Sequence, residues 1–192
     1  MKKAIALLLT GLVMATSIQA SETYKIDTEG QHAFIQFKIK HLGYSWILGG
    51  FNRFSGDFVY DADHPNNNQV KVTIETASID TNHAKRDKHL RSPDFFDAEK
   101  YPQITFTSTG YRSTGKGKGI LSGILNLHGV SKQVDLKVNE IGAGKDPWGN
   151  FRRGFEASTT LHLSDYQFKK GGMLGPVAEN ITLFISLEGI RQ

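Results

Sequence analysis

The sequence predicts an all-β protein: eight antiparallel strands in an up-and-down barrel or a sandwich, with a short helical insertion at one end. Three observations carry that expectation. Apolar and polar residues alternate in eight separate stretches, the period of a strand with one buried face. Clusters of Gly, Pro and Asn fall between several of these stretches and mark turns. One connection, residues 81–102, has no strand pattern and is far longer than the roughly 4 to 6 residues usual for loops in compact domains.

Residues 1–20 stand apart from this pattern. Lys2 and Lys3 lead into an apolar run over 4–15, and Ser17, Ile18, Gln19 and Ala20 close it, which is the layout of an export signal peptide cleaved near Ala20. The apolar run falls short of the roughly 18 residues needed to cross a bilayer, so the expectation is a removed leader and no stable membrane anchor. A single domain over 21–192 is then expected in an oxidising compartment. The chain has no Cys, which rules out a disulfide and a lipoprotein anchored through Cys.

In chain order, the first strand is expected where Ile35, Phe37 and Ile39 alternate with Gln36, Lys38 and Lys40. Phe54, Gly56, Phe58 and Tyr60 give the second, and Val70, Val72 and Ile74 the third. Ile104, Phe106 and Ser108 follow; then Leu121, Gly123, Leu125 and Leu127; then Val134, Leu136 and Val138. Phe155, Ala157, Thr159, Leu161 and Leu163 form the seventh, and Ile181, Leu183, Ile185 and Leu187 the eighth. Turns are expected at 65–68, 115–119, 128–131, 142–147 and 171–176, which makes neighbours in sequence neighbours in the sheet. Eight is the strand number at which a barrel is either filled by side chains or able to hold one ligand. Gly56, Gly123 and Ala157 on the inward lines leave room for a slender guest or serve as strand bends, and periodicity does not choose between them.

In the long connection a helix is expected over 82–90, capped by Asp80, Thr81 or Asn82 and stopped by Pro93. Asp87 and Arg91, four apart, are placed to pair. The cluster Arg86, Asp87, Lys88, His89, Leu90, Arg91, Ser92, Asp94, Phe95 and Phe96 reads in two compatible ways. Arg86, Asp87 and Arg91 make a salt-bridged cap that Leu90, Phe95 and Phe96 seal; or Arg86, His89 and Arg91 face a polar head group, with Arg suited to phosphate or carboxylate.

Composition and motifs exclude several functions. The formal charge is +4, and Lys2 and Lys3 supply two of it; no basic stripe marks a nucleic-acid partner. GYRSTGK at 110–116 imitates a phosphate-binding loop, yet Gly117 replaces the Ser or Thr that holds magnesium, and a strand follows where a helix is required. The seven His are scattered, and His83 and His89 lie on different faces of the expected helix, so no metal site is expected. No GxSxG and no Cys supplies a nucleophile.

Six stretches, HLGYSW (41–46), GGFNRFSGDF (49–58), ASIDTNHAKRDKHLRSPDFFD (77–97), KYPQITFTST (100–109), LNLHGVSKQVDL (125–136) and DPWGNFRRGFEA (146–157), closely resemble the YceI-like family of bacterial periplasmic proteins, in order and across essentially the whole mature chain. The resemblance implies an extended eight-stranded antiparallel lipocalin-like barrel. Its long apolar tunnel would hold a polyisoprenoid or similar long-chain amphiphile, with no known catalytic step and no cofactor besides the bound isoprenoid lipid.

Given that interior, alternation nominates Ile35, Phe37, Phe58, Val72, Phe106, Leu125, Leu136, Leu161 and Leu183 as an apolar sleeve, and the insertion and its surroundings nominate Trp46, Arg86, His89 and Phe95 as its mouth. A one-residue slip in any strand would turn that strand's residues outward. The expected function is a non-enzymatic periplasmic carrier or sequestering protein for a quinone or prenyl phosphate, or a fatty amphiphile, with monomer and homodimer both open. Two rivals stand beside it. One is a filled barrel acting as a stress-related interaction protein, with an exposed apolar patch. The other is a lipid-modifying enzyme using Asp87 and His89 as acid and base, although the two point to different sides of a helix.

Overall fold

The computed structural model describes residues 21–168 and 178–192; the expected leader and the turn expected at 171–176 lie outside the described residues. The strands are β1 (Glu22–Ile26), β2 (Phe34–His41), β3 (Ser45–Phe51), β4 (Phe54–Tyr60), β5 (Gln69–Glu75), β6 (Ile79–Asp80), β7 (Gln103–Gly115), β8 (Lys118–Leu127), β9 (Val130–Lys145), β10 (Phe151–His162) and β11 (Asn180–Arg191), with one helix, α1 (Ala84–Arg91), between β6 and β7. They form one antiparallel sheet in the order β1-β4-β5-β7-β8-β9-β10-β11-β2-β3-β6, and pairing of β1 with β11 closes an eight-stranded barrel.

Eight strands and eleven segments are reconciled by breaks. Along one edge of β11, β1 pairs with residues 189–191 and β2 with residues 181–186, so β1 and β2 are one barrel strand interrupted at 27–33. In the same way β3 and β4 pair with β2 and β1 and are parted by Asn52 and Arg53, and β5 continues into β6 through a short helical turn. The eight alternating stretches correspond to β2, β4, β5, β7, β8, β9, β10 and β11. β1, β3 and β6 were not expected: β6 has two residues, β1 has five, and β3 runs Trp46, Ile47, Leu48, Gly49 and Gly50 with no alternation because Trp46 and Leu48 face outward.

The inward residues form one core that includes Tyr24, Ile26, Ile35, Phe58, Val72, Phe106, Leu125, Leu136 and Leu161. Two glycines on the inward lines do not provide empty space. A Cβ on Gly123 would meet the Phe106 ring at 2.4 Å, and one on Gly56 would meet the Lys71 carbonyl at 2.4 Å and Ile26 at 2.9 Å. They let neighbouring strands and rings approach, so neither leaves room for a guest at its own position.

The insertion folds across one end of the barrel. Its helix starts two residues later than expected because the cap is His83, not Asp80, Thr81 or Asn82: the His83 side chain accepts the Arg86 backbone N–H. Asp87 does not take the place expected beside Arg91. Its Oδ1 accepts the Thr81 backbone N–H at 2.9 Å and the Thr81 hydroxyl at 2.5 Å, and at 7% exposure it is buried beneath the helix. Arg91 reaches back to the Ile79 carbonyl. Among the described residues no helix is long and apolar enough to cross a membrane.

Candidate ligand-binding site

Two cavities occupy the barrel. One of about 470 Å³ lies under α1, within the range of about 300–1,000 Å³ found for small-molecule sites. A narrower one of about 140 Å³ lies deeper. Ile35, Ile74, Leu125 and Leu183 line both, so the two stack end to end around a shared waist. The barrel is hollow, which decides between the two interiors that periodicity left open.

All nine sleeve residues line this space. Phe58, Val72, Phe106 and Leu136 surround the deep cavity, Phe37 and Leu161 the wide one, and Ile35, Leu125 and Leu183 the waist. Alternation brings them together because the register holds where they pair, with Phe106 opposite Leu125 and Ile35 opposite Ile185; the register shifts lie elsewhere, at Ser108/Gly110, Ser113/Gly115 and Gly154/Phe155.

At the open end, Arg86, His89 and Phe95 line the wide cavity together with His41, His83, Lys85, Leu90, Phe96 and Phe168. Arg86 is held in place: Nε donates to the Thr81 hydroxyl at 2.6 Å and Nη2 to the Thr81 carbonyl at 2.7 Å. His89 Nε2 lies 3.0 Å from Asp94 Oδ2, and its ring meets Phe95 edge-on. Below, Phe168 stacks on His128, which contacts Tyr101. Asp87 and His89 form no dyad, since Asp87 is taken by Thr81 and His89 faces Asp94. Trp46 is absent from the mouth. It projects from the outer face of β3 at 50% exposure, with Lys38 and Lys40 over its ring, because in β3 it is Ile47, one residue on, that faces the cavity.

The opposite end has a floor that the sequence reading missed. Arg153 lies 3.7 Å from the Tyr60 ring centroid and 5.8 Å from that of Tyr24, donates to Glu140, and is 3.6 Å from Glu22. Tyr24 is fully buried, stacks on Phe58 and donates its hydroxyl to Glu22 at 2.5 Å. Burial pushes the Tyr24, Tyr60 and Tyr111 hydroxyls above the usual tyrosine range. Burial also disfavours charge on Arg153 and Glu22. For Arg153 the Tyr24 hydroxyl and the charge on Glu140 outweigh it and strengthen the guanidinium's hold on its proton; for Glu22 Tyr24 and Arg191 outweigh it and keep the carboxyl below its ordinary range. A signal for this floor was present. Tyr60 already stood on the inward line with Phe58, and Arg153 has the same parity as Phe155 and Ala157 and Glu140 as Val138, so extending those two alternations by one step places Arg153 and Glu140 inward as well.

Outside the floor, Arg152 gathers three carboxylates: Nη1 donates to Asp27 and Glu188 and Nε to Asp146, each at 2.6 Å. Asp27, His32 and Glu188 have the spacing to surround a metal ion, but Arg152 already supplies the cation between Asp27 and Glu188. Burial works against charge on Asp146, yet Arg152 and Asn150 hold its carboxyl down at about 2.

Comparison with known proteins gives a consistent result. The YceI-like domain matches residues 24–189. A UPF0312 protein of Pseudomonas aeruginosa (strain LESB58) is 52% identical over 193 residues and covers 100% of both chains. One from Photorhabdus laumondii is 50% identical, covering 100% of this chain and 99% of its own. Among solved structures, a Campylobacter jejuni YceI protein is 33% identical with a TM-score of 0.71, over 80% of this chain and 90% of that one. Burkholderia cenocepacia BcnA shares the fold at 21% identity and a TM-score of 0.75, over 85% and 98%. A polyisoprenoid binding domain from Saccharophagus degradans shares it at 15% identity and a TM-score of 0.66, over 88% and 98%.

Proposed function

This chain belongs to the YceI-like family, and from that premise we propose that it is a lipid-binding protein which carries or sequesters a polyisoprenoid-type amphiphile, a quinone or a prenyl phosphate, without catalysing a reaction on it. The observation that carries the reading is the continuous apolar sleeve, closed by a charged floor at one end and rimmed at the other by Arg86, His83, Lys85 and His89. A slender hydrocarbon is the guest such a sleeve favours, because each buried methylene contributes about 0.8 kcal/mol and no polar partner is needed along its length. The head group rests at the rim. The polyisoprenoid binding named for the Saccharophagus degradans domain supports the same assignment. With residues 1–20 acting as an export leader, the site of action is the periplasm, an aqueous gap that a long prenyl chain does not cross unescorted.

Native mass spectrometry of protein purified from its host, with organic extraction of the same sample, tests this reading. A mass excess that extracts as one long-chain species is the expected result and identifies the head group. A bare mass that stays bare after incubation with quinones and prenyl phosphates overturns it.

A further inference from the structure

The outer face of the β2–β3 hairpin is unlike the rest of the barrel wall. Register puts Trp46 opposite Lys40 and Leu48 opposite Lys38, with Phe184 on the adjoining strand opposite Gln36, all facing away from the cavity. Trp46 is 50% exposed and Leu48 65%, and the turn adds Leu42 and the 88% exposed Tyr44. Lys38 Nζ sits 5.0 Å and Lys40 Nζ 5.6 Å from the Trp46 ring centroid. Exposed Trp and Tyr set among Lys are the residues that settle at a membrane interface, rings among the acyl carbonyls and ammonium groups on the head groups.

Position gives the patch its meaning. The inner face of the same hairpin, Phe37, Ile39, His41 and Ile47, lines the wide cavity at its open end. At the same opening, α1, which packs on β6 beside β3, presents Lys85 and Lys88 to solvent while its one carboxylate, Asp87, is buried beneath it. The mouth is therefore flanked by exposed cations and aromatics, charge-complementary to an anionic surface.

We infer that the outer face of the β2–β3 hairpin docks the barrel mouth onto an anionic lipid bilayer, so that an amphiphile passes between membrane and sleeve without crossing open water. The docking itself depends only on the patch, whereas its role in loading rests on the lipid-binding reading above.

The test is partition of the full protein onto vesicles of phosphatidylethanolamine and phosphatidylglycerol, with phosphatidylcholine vesicles as control. Trp148→Phe leaves Trp46 as the one tryptophan. Its emission is expected to shift to the blue on the anionic vesicles and to stay put on the control. Lys38→Glu with Lys40→Glu is expected to lower partition about tenfold or more, and Trp46→Ser with Leu48→Ser to do the same. Both pairs should retain any co-purified amphiphile, since none of the four side chains lines the cavity. Failure to partition, or partition indifferent to both pairs, overturns the proposal; so does a dimer in sedimentation velocity that Trp46→Ser dissociates, which would make a second copy the occupant of this face. A protein that holds no amphiphile yet partitions in this way keeps the docking and discards the carrier.

Discussion

The two ends of the barrel use polar residues in opposite ways. At the floor, Arg153, Glu22, Glu140, Tyr24 and Tyr60 satisfy one another inside the wall, with the guanidinium enclosed between two carboxylates and two rings. At the mouth, three polar groups are fixed from one side and leave the other toward the cavity or solvent: Arg86 by Thr81, His83 by the Arg86 backbone N–H, His89 by Asp94. A closed network resists change and excludes a ligand's polar end; a half-satisfied rim accepts one. The same barrel therefore separates stability from recognition along its axis, and substitutions at the two ends should separate in the same way.

The largest effect is expected at the floor. Arg153→Ala removes the cation shared by Glu22 and Glu140 and leaves Glu140 inward without it, while Glu22 keeps Arg191 and the Tyr24 hydroxyl; breaking a buried pair in this way costs about 3 kcal/mol. Urea denaturation should show that loss as a lower midpoint at unchanged slope. If stability is unchanged, the floor does not act as a closed network and the contrast between the ends fails. Next comes the waist. Leu183→Trp projects extra volume into the space shared by both cavities, so bound amphiphile should fall at least about tenfold, read by extraction, while folding cooperativity is kept because the ring enters void and not packed core.

Why the sequence revealed the middle of the barrel and not its ends follows from what period two can report. A long strand with one dry face writes its register into the chain, and β7 to β11 were legible for that reason. The floor breaks the code, since Tyr24, Glu22, Glu140 and Arg153 face inward while being tyrosine or charged, which reads as a solvated face. Trp46 breaks it in the other direction: an aromatic beside the insertion reads as lining, yet β3 turns it out over Lys38 and Lys40. The helix cap escaped because His is not among the usual cap residues, and Asp87 because its partner Thr81 is six residues back, outside helical spacing. The hollow interior was implied only by the family resemblance, because alternation records which side chains face inward and not whether they meet.

At the mouth, effects should be smaller and depend on the ligand. Arg86→Ala removes a cation that lines the wide cavity and is already oriented by Thr81. Binding of a prenyl phosphate should weaken about tenfold, as expected for one charge-assisted contact, and that of the corresponding prenyl alcohol about twofold or less. Equal losses for both would mean that Arg86 only supports the helix, and the rim would then resemble the floor more than the contrast allows.

The smallest measured shift is expected from the Arg152 cluster outside the floor, whose contribution is fully present at neutral pH and which tests whether that end is held by charge. Arg152 lowers the Asp27 carboxyl, and together with Asn150 it keeps Asp146 at about 2, against an ordinary Asp value of 3.8. A carboxyl depressed in the folded state contributes stability that is fully present above its unfolded value and is lost as pH falls through the folded one. The stability conferred by these pairs should therefore be flat above pH about 4 and decline between about 4 and 2. Arg152→Ala relieves the depression, so the variant should lose its stability at higher pH than the parent, with the acid-unfolding midpoint raised by about half a unit. Far-ultraviolet circular dichroism across that range reads the shift. Coincident curves would mean that the turn at Asp146 is held by Asn150 and its backbone alone, and that among the ion pairs of this end only the enclosed one at Arg153 bears on stability.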